Sequence, residues 1–131
     1  VKYFVCSLTG INLGIPAEKI GRISDADLTQ KKIIETINEE TVILIPALFG
    51  QAETAAPHAL HLKNNLSGTI LLTPKIDIDL EIPDSEIKRL PAAFAGVYTY
   101  ISGVCFESSG GMVLILNPDK LAEMYAEVNN D

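Results

Sequence analysis

The stretch SGVCFESSGGMVLILNPDKL, residues 102–121, decides how this chain is read. Two apolar runs flank Glu107-Ser108-Ser109-Gly110-Gly111. Glycines beside serines would suit a phosphate cradle, and Cys105 would suit a nucleophile. A Walker-type loop, however, needs wider glycine spacing and a lysine that opens a helix. Here another strand-like run follows. Ile101–Phe106 and Met112–Leu116 therefore read as paired strands, with Ser108–Gly111 as their turn. Asn117 fits an N-cap, Pro118 the first helical position and Asp119 the positive helix start. Leu121, Met124, Tyr125 and Val128 then recur at the three-and-four spacing of a helix.

Upstream, short strands alternate with turn signals. Tyr3–Leu8 places Phe4, Cys6 and Leu8 on one face and Tyr3, Val5 and Ser7 on the other. Thr9–Asn12 turns the chain, and Leu13–Ile15 returns antiparallel. Pro16 ends that strand, and Pro16–Arg22 reads as one helical turn. Residues 24–41 admit two readings. Leu28, Ile33, Ile34 and Ile37 would form a helix face, or Lys32–Ile37 and Thr41–Ile45 form a hairpin through Asn38-Glu39-Glu40. The β-branched flanks favour the hairpin. Phe49–Pro57 is a small, polar surface loop. His58–Lys63 and Thr69–Thr73 flank a turn at 64–68. Lys75–Ile82 alternates Ile76, Ile78, Leu80 and Ile82 against Asp77, Asp79 and Glu81, and Pro83–Leu90 is a turn or short helix. Many short strands and one terminal helix predict a small β-barrel or sandwich.

The 131 residues fit one domain, 1–131, and 47% hydrophobic against 21% charged residues is a globular balance. No apolar run reaches the roughly 20 residues of a membrane helix, so no membrane insertion is expected. The N-terminus lacks the pattern of a signal peptide, and the chain has two cysteines, so a cytoplasmic location is the default. A formal charge of −7, with no basic stripe, argues against nucleic acid.

Candidate chemistry is sparse. His58 and His61, three apart on a strand, point to opposite faces and do not share a metal. Successive carboxylates of Asp77, Asp79 and Glu81, two residues apart on a strand, lie about 6–7 Å apart and do not wrap an ion without loop ligands. Cys6 and Cys105 lack an activating neighbour and read as buried small hydrophobes. No catalytic residue, metal or cofactor is expected, and the residues point to a non-enzymatic module.

The order of segments resembles the CheW-like domain, the coupling module of bacterial chemotaxis, over roughly residues 3–125. YFVCSL, a glycine turn and LGIPAEKIGRI resemble its opening. VILIPALFG resembles its strand, proline and short helical stretch. ALHLKNNLSGTILL resembles its central hairpin, and IDLEIPDSEIKRLP its strand, Ile-Pro and acidic turn. YISGVCFESSGGMVLILNPDKL resembles its closing hairpin and helix start. The specificity lies in order and spacing, not in one motif.

The resemblance implies a mainly β fold of two SH3-like β-barrel subdomains packed as one domain, with short helical turns and a C-terminal helix. It also implies an adaptor without catalytic residues. Its partners would be the regulatory domain of a chemotaxis histidine kinase and the cytoplasmic tip of a chemoreceptor. Ile20, Gly21 and Arg22, with the turn Asn38, Glu39, Glu40 and Thr41, are expected to border one interface. The chain departs from the family there. An Asn-Leu-Arg-Gly turn is replaced by Asn38-Glu39-Glu40-Thr41, and an arginine, Arg22, stands near the family's acid. A reversed ion pair between Arg22 and Glu40 or Glu39 is one expectation. Pro74, where the family often has aspartate, predicts an edge or bulge in the strand it follows. The alternative reading is a small β-barrel that binds a ligand or acts as an enzyme in its inter-subdomain cleft, using His58 or the Asp77 face. A third is a domain of this kind detached from chemotaxis, or a piece of a larger kinase.

Overall fold

In the computed structural model, the described residues are 1–26, 33–37, 39–51, 53–90, 99–106 and 111–129. The chain forms β1 (Lys2–Leu8), β2 (Ile11–Pro16), β3 (Ile20–Asp25), β4 (Ile34–Ile37), β5 (Glu40–Leu44) and α1 (Ile45–Leu48). It continues through β6 (His58–Leu62), β7 (Thr69–Thr73), β8 (Ile76–Glu81), β9 (Ile87–Lys88), β10 (Ile101–Phe106), β11 (Met112–Leu116) and α2 (Pro118–Asn129). Six strands make one sheet, in the order β8-β1-β2-β11-β10-β9, and five make a second, β3-β6-β7-β5-β4.

Local chemistry sets the turns. Leu8 stands opposite Ile11, which leaves Thr9-Gly10 as a two-residue turn, and Gly10 holds φ +74°. Glycine takes that conformation without a Cβ penalty. At α2, the Asn117 Oδ1 accepts the Lys120 N–H at 3.2 Å, as expected of an N-cap. Lys19 also reaches Asp119 in the first turn, at 3.0 Å.

Three apolar clusters explain why both sheets curl. Between the sheets lie Cys6, Leu13, Ile15, Ile43, Leu60, Leu71, Leu116 and Leu121, each fully buried. Burying one such aliphatic side chain contributes about 1.5–3 kcal/mol. The other side of the first sheet encloses Tyr3, Ile82, Cys105, Val113 and Ile115. The other side of the second encloses Val42, Leu44, Ala59 and Leu72. Each sheet thus wraps its own small core and shares the central one. This is the mainly β, two-barrel architecture expected, with two half-barrels back to back.

The shared core also explains where expectation and structure differ. β1 is buried on both faces, Tyr3 at 5% and Cys6 at 0% exposure, because each face meets a different core. The helical turn after Pro16 covers only Ala17–Lys19, and Ile20 begins the unexpected strand β3. Ile34–Ile37 and Glu40–Leu44 pair as the favoured hairpin, with Ile37 opposite Glu40; residues 27–32 and Asn38 lie outside the described residues. β7 lies between β6 and β5, so it is neither an edge nor bulged at Pro74, which simply follows its last residue. β8 forms as expected, but the side chains of residues 77–79 lie outside the described set, as do Glu107–Gly110 of the opening turn. On α2, Leu121 is fully buried, whereas Met124 is 37% exposed and its sulfur accepts the Thr99 hydroxyl at 3.2 Å.

Candidate functional site

The expected interface residues fall on the second sheet. Ile20 is 8% exposed and packs into the central core, so it anchors β3 rather than presenting a surface. Gly21 sits at the point where the β3–β6 register shifts, between Ile20 opposite Leu62 and Arg22 opposite His61. A Cβ there would come within 3.2 Å of the Lys63 Cβ and 3.4 Å of the His61 carbonyl oxygen. Glycine lets the bulge close against β6. Arg22 is exposed.

The second segment is the β4–β5 turn. Glu39 is exposed and holds φ +67°, the left-handed region that disfavours a residue with a side chain. Glu40 and Thr41 are half-buried, and the Thr41 N–H donates to the Gly68 carbonyl at 2.7 Å. Asn38 lies outside the described residues.

β6 and β7 separate β3 from β5. Arg22 and Glu40 are therefore three strand spacings apart in the sheet, each about 4.8 Å. Among the described residues no ion pair joins Arg22 to Glu39 or Glu40, so the reversed pair does not form.

The two segments instead act on a residue between them. His61 faces Arg22 across β3–β6 and is hydrogen-bonded through Nε2 to the Ser24 Oγ at 2.8 Å. Burial holds its pKa below the ordinary 6.5; Arg22 lowers it further, and Glu40 pulls it back up. In the sequence His61 stands out only as half of the His58–His61 pair, whose spacing on a strand argues against a shared metal. The pairing of β3 with β6 gives it its place, and no local pattern announces that pairing. His58 lies on the other face, with Nδ1 4.0 Å from the Asp25 Oδ1.

A serine hydrogen-bonded to a neutral histidine is half of a nucleophilic triad. Among the described residues no carboxylate bonds to the other His61 nitrogen, so the orienting group is missing. Nor do any three histidine, cysteine or acidic side chains converge as a metal set among the described residues. Cys6 and Cys105 are buried in different cores, as small hydrophobes are. No described helix is long and apolar enough to cross a membrane.

One further surface went unrecognised in the sequence. Phe106 and Met112 stand opposite each other at the end of the β10–β11 hairpin, 64% and 45% exposed. Its signal in the sequence is an aromatic at the last position of β10, just before the polar turn; in the structure Gly103, Val104 and Cys105 are buried and the strand continues one residue past its cover.

No protein-family model matches this chain, and no curated protein matches it. Among solved structures it is similar to the scaffolding protein TtCheW from Thermoanaerobacter tengcongensis, with a TM-score of 0.66 and 14% identity. The match covers 88% of this chain and 82% of that one. At that identity the likeness establishes the shared fold.

Proposed function

We propose that this chain is a chemotaxis adaptor that couples a chemoreceptor to a chemotaxis histidine kinase by protein–protein binding, without catalysis. The observation that carries the reading is a coincidence of two scales. Segments that resemble the CheW-like domain occur in its order along residues 3–125, and the fold superposes on a CheW scaffolding protein over 88% of the chain. The partners are the regulatory domain of the kinase and the cytoplasmic tip of the receptor.

An adaptor needs two surfaces held at fixed geometry. One is the second sheet, with Gly21 and Arg22 on β3 and Glu39, Glu40 and Thr41 at the β4–β5 turn, on either side of His61. The other is the Phe106–Met112 pair on the first sheet. Apolar side chains supply most of the affinity at such surfaces, and charges select the partner. Calorimetric titration of the chain with the kinase regulatory domain from the same genome tests the reading. Saturable binding that Arg22→Glu weakens supports it. No heat at high micromolar concentration, with a folded protein, counts against it.

A further inference from the structure

β3 has β6 on one side and no strand on the other among the described residues. The direction of its backbone groups can be read from one bond. The Ala26 N–H donates to the Pro57 carbonyl at 2.7 Å. Residues 26 and 57 continue the register in which Asp25 faces His58 and Ser24 faces Ala59. Hydrogen-bonded and non-bonded pairs alternate along an antiparallel ladder. Arg22 and Ser24 therefore turn their backbone groups toward β6, and Ile23 and Asp25 turn theirs toward the open edge.

The side chains at this edge are also distinctive. Ile23 lies opposite Leu60, on the side of the central core, yet it is 43% exposed while Leu60 is fully buried. A β-branched side chain is left open beside an N–H and C=O that meet no strand among the described residues. On either side stand opposite charges, Arg22 on one face of the strand and the fully exposed carboxylate of Asp25 on the other.

We infer that the open edge of β3 receives an extended segment of a partner protein as an added strand, with an acidic residue opposite Arg22, a β-branched residue opposite Ile23 and a basic residue opposite Asp25. Backbone bonds at Ile23 and Asp25 give such a strand its affinity, and the side chains give it register. The charges argue against a second copy as occupant. Pairing across an added antiparallel strand matches residues of like backbone direction, so Asp25 of another copy never stands opposite Arg22. Pairing Ile23 with itself would put Arg22 opposite Ser24, and each chain carries a charge of −7. Opposite-charge pairs across strands favour association and like charges oppose it. The inference goes beyond the adaptor reading, because it names how a partner is held and not which partner it is.

The test uses the full chain and a capped synthetic peptide of about ten residues whose centre reads Lys-Thr-Val-Glu, the antiparallel complement of Arg22–Asp25. Its control has the same composition with Lys and Glu exchanged. Amide hydrogen exchange is followed by NMR. The Lys-Thr-Val-Glu peptide is expected to slow exchange at Ile23 and Asp25 by roughly tenfold or more, as a newly bonded N–H requires, and to leave Arg22 and Ser24 unchanged. Ile23→Pro deletes only an outward N–H, which an edge strand tolerates, and is expected to abolish the protection. If that variant fails to fold, Arg22→Glu takes its place and is expected to weaken binding of the Lys-Thr-Val-Glu peptide. Equal protection by both peptides, protection by neither, or protection of Ile23 by self-association alone would overturn the proposal. None of these outcomes bears on whether the kinase domain binds elsewhere on the chain.

Discussion

The Gln51 side chain closes a ring of two hydrogen bonds on the backbone of Thr9: its Nε2 donates to the Thr9 carbonyl at 2.8 Å, and its Oε1 accepts the Thr9 N–H at 3.0 Å. Thr9 lies in the β1–β2 turn of the first sheet, and Gln51 follows α1, which continues β5 of the second. The amide thus ties one half-barrel to the other. Gln51→Ala is expected to cost about 1 kcal/mol, since each exposed bond is partly replaced by water. Gln51→Glu keeps the acceptor, loses the donor and should fall between. Urea unfolding midpoints check the order.

Gly103 permits the closest approach in the first sheet. A Cβ there would lie 2.6 Å from the Ile87 Cγ2 and 2.8 Å from the Lys88 carbonyl oxygen. The carbonyl cannot swing aside without breaking the β9–β10 pairing. Gly103→Ala should destabilise the chain by about 2 kcal/mol or more, in the range of overpacked sites. An unchanged unfolding midpoint would contradict the geometry.

At Glu39 the expected effect has the opposite sign. Its φ of +67° is unfavourable for a residue with a Cβ, and glycine relieves that strain at some entropic cost. Glu39→Gly should raise stability by about 0.5–1 kcal/mol. If the acidic turn serves partner choice, the same variant weakens binding to the kinase domain.

These positions show what the sequence disclosed and what it did not. The glycine of the β1–β2 turn, the Asn117-Pro118 helix start and the strands Ile101–Phe106 and Met112–Leu116 were legible, because each rests on residues near one another in the chain. β3 was not. Its sequence, IGRISD, alternates weakly, and it is a strand because Ile20 reaches the central core and a bulge at Gly21 lets Arg22 meet His61. Ser24 and His61 are 37 residues apart in sequence, and only the β3–β6 ladder joins them. The separation of Arg22 from Glu40 follows from strand order, which local periodicity does not encode.

Acidification tests the His61 environment. Its pKa lies below 6.5 in the folded chain, first through burial and then through Arg22. The unfolded chain thus takes up the proton more readily, so stability holds above about pH 6.5 and falls as pH drops from there toward the lowered folded value. Thermal unfolding of the wild type should lose more between pH 7 and pH 5 than that of His61→Gln, whose curve lacks this component. Parallel curves would exclude it.

Phe106 touches solvent over most of its surface, so its removal separates binding from folding. Phe106→Ala should leave stability within about 0.5 kcal/mol. If the Phe106–Met112 pair is a partner contact, binding should weaken about tenfold or more, as at an aromatic interface anchor. Calorimetry with each partner in turn identifies which one uses this surface.

Coupling itself is tested most directly by co-sedimentation. Membranes bearing the chemoreceptor are mixed with the kinase from the same genome, with and without the full chain, and pelleted. An adaptor brings the kinase into the pellet only when the chain is present, and Arg22→Glu or Phe106→Ala reduces that amount. Kinase that pellets equally without the chain, or stays in solution with it, would contradict the adaptor function.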